Sequence, residues 1–312
     1  MTRQPRLHAL DAARALALLL GLVLHATMSF FLPFPAVDVS QSTTLGVGFY
    51  VIHMFRMSLF FLIAGFFAHL ALERLGLRGF IKDHSQRIGL PLIAGWLLLA
   101  PPIIALMLWG MSRSFPDGLP ELGGQPAPEG LPLTHLWFLY YLGLFYLLAL
   151  ALRPVLAPLA GVLDRLLGLL LRSGLAPIAL ALPLFAVLYL DPQWPVWFGI
   201  PTPDRGLMPQ LPALVGYGGA FAVGWMLDRQ RDLLSRLEGA WLSHLLNALM
   251  LTALCLTLVG LSPNLADPTK LAGGPLGRAL YLGAYTLALW CWTFGLLGAA
   301  LRYCRQPKPA VR

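Results

Sequence analysis

Three polar residues sit where an apolar chain has least use for them. Arg14 and His25 are separated by ten apolar or small residues in RALALLLGLVLH, and Asp11 stands three residues before Arg14. Taken as a helix, eleven residues at 100° each return His25 to within about 20° of Arg14, about 16 Å further along the axis. Both side chains therefore share one face. A guanidinium binds anions through a fixed charge and a planar fork of donors, whereas an imidazole can take up and release a proton near neutral pH. One segment thus carries an anion-binding group at one depth and a proton-transfer group at another. Asp11, one turn earlier, is placed for an i,i+3 ion pair with Arg14. Two plainer roles stay open at this point: Arg14 as an anchor reaching the interface with its charged tip, and His25 as a neutral histidine bonded to a neighbouring helix.

A second segment, HMFRMSLFFLIAGFF, repeats the pattern with His53 and Arg56. If it runs back through the same layer, both lie within about two to three turns of the boundary near His25. Convergence of His25, His53 and Arg56 is then geometrically allowed, with Arg56 a donor for a developing oxyanion or merely the partner of a carbonyl or phosphate. Ala64-Gly65 permits close helix approach. Further on, KDHSQRIGLP brings Lys82, His84 and Arg87 together, either as a mouth for a phosphate-bearing ligand or as topological charge alone. His135 opens a later apolar run and reads as an interfacial residue, while His69 and His244 read as structural.

The elements that must position these groups follow from composition. The 312 residues are 58% hydrophobic and 12% charged, against about 25% charged in soluble domains. The apolar residues come in continuous runs of about 18 to 24, the length of a membrane-crossing helix, without the alternation of a transmembrane barrel. We read the chain as one all-α, polytopic membrane bundle over residues 1–312, with helices at roughly 10–32, 46–71, 88–111, 134–152, 174–190, 210–227, 239–261 and 279–301. The first run is too long for a removable signal peptide and is read as retained.

Sixteen of the 22 Lys and Arg fall in the N-terminus, 72–87, 153–173, 228–238 and the tail from 302; four, Arg113, Arg205, Lys270 and Arg278, fall in the alternate connections. By the positive-inside rule both termini are cytoplasmic, in a cell inner membrane. The net charge of +8 is therefore a topology signal that suits anionic lipid, not a nucleic-acid site. The connections rich in Pro, Gly and aromatics read as exposed linkers, or as a sugar-facing or interfacial aromatic surface. LAPLAGVLDRLLGLLLR reads as an interfacial helix or an extension of a neighbouring span. Cys255, Cys291 and Cys304 have neither disulfide nor metal spacing, and no HExxH, GxSxG or P-loop occurs.

Together, Leu10-Asp11 with Arg14-x10-His25, LFFLIAGFF at 59–67, Arg87-Ile-Gly-Leu-Pro91 and HLWFL at 135–139 resemble the acyltransferase 3 family of integral membrane O-acyltransferases. The likeness is greatest to its glucan succinyltransferase branch, the glucans biosynthesis protein C type, and covers residues 1–140. It implies transfer of an acetyl or succinyl group from cytosolic acyl-CoA, a co-substrate rather than a bound cofactor, to a hydroxyl of an extracytoplasmic glycan or glycolipid. It maps the catalytic histidine onto His25 and the essential arginine onto Arg14. Asp11, His53, Arg56 and Arg87 complete the expected substrate-binding set, with no metal. Two departures stand out. The family's arginine pair after the second helix reads here as His84-Ser-Gln-Arg87, and its usual ten or so helices are about eight here, as in a shortened or divergent member. The alternative from another class is a transporter or flippase that holds an anionic acyl- or sugar-containing metabolite with the same basic groups. Oligomeric state is not fixed by the sequence.

Overall fold

The computed structural model describes residues 8–28, 30, 41–114, 133–201, 206–264 and 266–304. Among them the regular structure is wholly helical, as expected where backbone polar groups must be satisfied within each segment. In chain order the helices are α1 (His8–Met28), α2 (Thr43–His84), α3 (Leu90–Ser114), α4 (Trp137–Leu156), α5 (Ala160–Ser173), α6 (Ala176–Tyr189), α7 (Leu211–Arg229), α8 (Leu234–Gly239), α9 (Trp241–Val259) and α10 (Gly274–Tyr303).

Among the described residues, five stretches are long and apolar enough to cross a membrane: His8–Met28, Thr43–Gly110, Trp137–Ser173, Trp241–Val259 and Gly274–Tyr303. The second of these contains two of the expected helices. Each of the eight expected helices is present, but α6, at 14 residues, is about 21 Å long. That falls short of the roughly 30 Å hydrocarbon core.

The second helix differs most from expectation. Instead of stopping near residue 71, α2 stays helical past Arg74 to a kink at Gly76 and resumes as helix to His84, because the charges in LERLGLRGFIKDH interrupt hydropathy but are good helix formers. Its turn is made at Gly76, whose φ of 64° and ψ of 176° lie in a region open mainly to glycine. A π-helical turn, Ser85–Gly89, then closes with Leu90 N–H donating to Ser85 O, five residues back, and leads into α3.

Two glycines set how closely the central helices meet. A Cβ on Gly65 of α2 would fall 2.0 Å from the Phe221 carbonyl oxygen of α7, and one on Gly224 would fall 1.8 Å from that of Leu62. The α2 and α7 backbones therefore touch, which is the small-residue packing expected where lipid removes the hydrophobic drive between helices. Around this seam Phe61, Trp137, Phe145, Tyr217 and Phe221 form a buried aromatic cluster. Helix α10 is buried along most of its length and packs on α1, α2, α6 and α9.

The connection 191–201 corrects its reading as a linker or an open aromatic surface. Trp194 and Trp197 are buried. The Trp194 indole donates to Gly199 O at 2.6 Å, Tyr281 donates to Val196 O at 2.7 Å, and Tyr50 bonds Tyr281 at 3.0 Å. Proline and glycine keep this stretch irregular, and side chains of α10 satisfy its backbone, with Tyr50 of α2 bonded behind them. The stretch 153–173 is a helical extension of α4: a 3₁₀ turn at Ala157–Leu159 joins α4 to α5, and Asp164 of α5 meets Arg229 of α7 at 2.7 Å. The other Pro/Gly-rich connection, 115–132, and Arg205 lie outside the described residues, as do 31–40.

Candidate functional site

Helix α1 lays two cavities end to end along one face. At the Arg14 end, a cavity of about 450 Å³ lies between α1, α2, the π-helical turn and α4. Arg14 meets Asp11 at 3.1 Å, the i,i+3 pair expected from the spacing, and its guanidinium lies 5.3 Å over the Phe67 ring. Arg87 is carried in by the π-helical turn and is paired with Asp83 at 2.8 Å. Arg74, two residues before the Gly76 bend, is a third guanidinium in the wall. Sequence reasoning counted Arg74 only as topological charge, because nothing local says that α2 runs on far enough to point it inward.

His84 lines this cavity beside Arg87, as expected of the mouth, but its ring is held by packing. Its Nδ1 bonds the Phe80 carbonyl at 3.0 Å. Its ring stacks on Phe80 at 3.9 Å and meets the edge of Tyr146 at 4.6 Å. The imidazole packs as an aromatic, which leaves the positive charge of this cavity to the three arginines.

Beyond Phe60, which lines both spaces, a second cavity of about 180 Å³ holds His25, Arg56 and His135. Gly21 makes room for the guanidinium: a Cβ there would stand 2.5 Å from Arg56 Nη1. Gly21 and His25 are four residues apart, hence on one face of α1, so Arg56 enters directly beside the imidazole. The buried Nε of Arg56 has no hydrogen-bond partner among the described residues. His53, expected to converge here, lies within electrostatic reach of Arg56 and His25. Its ring is stacked on Phe49 at 5.3 Å and does not line the cavity.

His135 is the residue that sequence reasoning placed elsewhere. Its ring centroid is 4.5 Å from that of His25, with the planes tilted by 60°. A 3₁₀ turn, Thr134–Leu136, delivers it at the start of α4. The HLWFL motif gave its depth, but no local pattern tells which helix α4 meets. A buried acid was also missed. Asp228 at the end of α7 bonds His69 Nδ1 at 2.7 Å and is held by Arg231 at 2.6 and 2.9 Å. This clamp ties α2 to α7 through His69.

Chemically, the first cavity can hold an anion against three fixed charges, and the second can move a proton beside a guanidinium. No group of three or more His, Cys, Asp or Glu side chains among the described residues is arranged to hold a metal.

Residues 7–307 match a family described as an acyltransferase domain. Relatives named glucans biosynthesis protein C, from Salmonella paratyphi B, Salmonella heidelberg and Salmonella enteritidis PT4, are each 30% identical over 142 residues. The match covers 44% of this chain and 36% of each relative, so the chain spans about a third of the length of the curated relatives it matches. No solved structure matches the chain.

Proposed function

Because this chain belongs to the acyltransferase domain family, we propose that it moves an acyl group from acyl-CoA to a hydroxyl of a glycan or glycolipid across a membrane. The observation that carries this reading is the pair of cavities on α1. One holds three arginines and the other holds the imidazoles, with Phe60 between them. Arg14 and His25 are about 16 Å apart along the helix, a distance comparable to an extended pantetheine arm. Phosphates of the donor lie against Arg14, Arg74 and Arg87, and the thioester reaches the second cavity. There His25 acts as general base or acyl carrier, and Arg56 stabilises the oxyanion of the tetrahedral intermediate. Asp11 orients Arg14, and His53, stacked on Phe49, packs within reach of Arg56 and His25.

On this reading the Arg14 end faces the cytosol, both termini are cytoplasmic, and the protein resides in a bacterial inner membrane. The positive-inside distribution of Lys and Arg supports that orientation. The name borne by the Salmonella relatives supports a glucan acceptor, and acetyl and succinyl are the acyl groups to try first. The test is purified protein with acyl-CoA and a glucose oligosaccharide, followed by mass spectrometry of the sugar. An ester formed only with both substrates present supports the reading. Transport of an anionic metabolite without any new ester would replace it with the transporter reading.

A further inference from the structure

The geometry points to a division of labour between the two imidazoles: His25 carries the acyl group covalently, and His135 is the base that activates the acceptor hydroxyl. This rests on the acyl-transfer reading and adds a second catalytic residue to it. A single imidazole cannot serve both roles in a two-step transfer, because the ring nitrogen that bonds the acyl group no longer has a lone pair for a proton. Among the described residues the 180 Å³ cavity is lined by no carboxylate, and its third ionisable side chain, Arg56, is a guanidinium that stays protonated and accepts nothing. His53 stacks on Phe49 outside the lining. Among the described residues of the cavity, His135 is therefore the group able to take the acceptor's proton while His25 is acylated. With ring centroids at 4.5 Å, a hydroxyl attacking a carbonyl on His25 stands beside His135.

The assignment of carrier and base follows from Arg56. Its guanidinium lies against Gly21, one turn from His25 on the same face of α1. An oxyanion formed at an acyl carbon on His25 would thus meet a fixed positive charge. His135, on the 3₁₀ turn before α4, faces that carbon from the other wall of the cavity.

The steps balance. A ring nitrogen of His25 attacks the thioester carbonyl carbon and the C–S bond breaks, giving cationic N-acyl His25 and the coenzyme thiolate. The acceptor hydroxyl oxygen then attacks that carbon while His135 takes its proton. The C–N bond breaks, and His25 leaves as neutral imidazole. The proton on His135 is returned to the thiolate, so the products are the ester and the free thiol.

The experiment separates the two half-reactions in the full chain, purified into lipid nanodiscs. Exchange of isotope-labelled coenzyme A into acetyl-CoA or succinyl-CoA without acceptor reads acylation of His25. Ester formation on a glucose oligosaccharide reads the whole reaction. The expected result is exchange in the wild type, loss of exchange and transfer in His25→Ala, and exchange retained in His135→Ala. Transfer in His135→Ala should fall on the order of 10²–10⁴, the usual worth of a positioned base, and added free imidazole should restore part of it. His135→Gln, which keeps a polar side chain of similar size but takes no proton, should behave like His135→Ala. Transfer at the wild-type rate in both variants, or equal loss of exchange and transfer in both, overturns the assignment. Robust transfer by the wild type with no exchange also overturns it, by showing a single displacement, yet leaves the acyltransferase reading standing. Neither transfer nor exchange by the wild type sinks that reading as well.

Discussion

Adding one methyl group at Gly21 should make the protein slightly more stable and much less active. An alanine Cβ there stands 2.5 Å from Arg56 Nη1, where an ordinary contact is about 3.5 Å. The guanidinium must therefore move by about 1 Å. It can do so, because the clash is with the tip of a flexible side chain and not with backbone. Helix α1 gains from the change, since alanine is favoured over glycine inside a helix by about 0.5–1 kcal/mol. The site loses: a misplacement of about 1 Å can cost about 10²-fold, and full removal of an oxyanion donor costs about 10²–10³ in kcat, or about 2.7–4 kcal/mol. Gly21→Ala should accordingly lower kcat by about 10², with the donor KM unchanged because the arginine cavity is untouched. Arg56→Ala should lower it somewhat further, and the double variant should be no worse than Arg56→Ala alone. Steady-state kinetics and thermal unfolding in the same detergent measure both halves. If Gly21→Ala transfers acyl groups at the wild-type rate, Arg56 does not act beside His25. If it unfolds at a lower temperature, the clash was not relieved by the side chain.

Three further outcomes follow from other parts of the fold. Arg87→Ala and Arg74→Ala should each raise the donor KM more than they lower kcat; Arg87 is free to leave Asp83 for a phosphate because so exposed a pair is worth only about 0–1 kcal/mol, and an unchanged donor KM would reduce these charges to a topology signal. Gly224→Ala should destabilise by about 1–3 kcal/mol in detergent melts, since its Cβ meets the Leu62 backbone at 1.8 Å and helices, not a side-chain tip, must part. A reporter fused after Arg312 should be active only in the cytosol; activity confined to the periplasm would reverse the orientation proposed for both cavities.

What the sequence made legible was whatever is local. Asp11 and Arg14 pair because three residues make one turn, and the Arg14 and His25 faces coincide because eleven residues make three. The helices themselves were readable from unbroken apolar runs, since a bilayer admits few other structures. Gly65 could be read as a packing glycine, although its partner, the α7 backbone at Phe221, could not. The errors share a cause. Proline and glycine in 191–201 report that the backbone is irregular, and say nothing of whether tyrosines from α2 and α10 arrive to bury it. Charges in 72–87 end a hydropathy run but not a helix, so α2 seemed to stop before it carried Arg74 past the cavity. His135 was given its depth and not its neighbour, because pairing between helices separated by a hundred residues has no periodic signature. That last gap bears on chemistry most directly. A histidine read as interfacial instead has its ring centroid 4.5 Å from that of the histidine expected to react, and a cavity with two imidazoles and one guanidinium can divide between the imidazoles what one could not do alone.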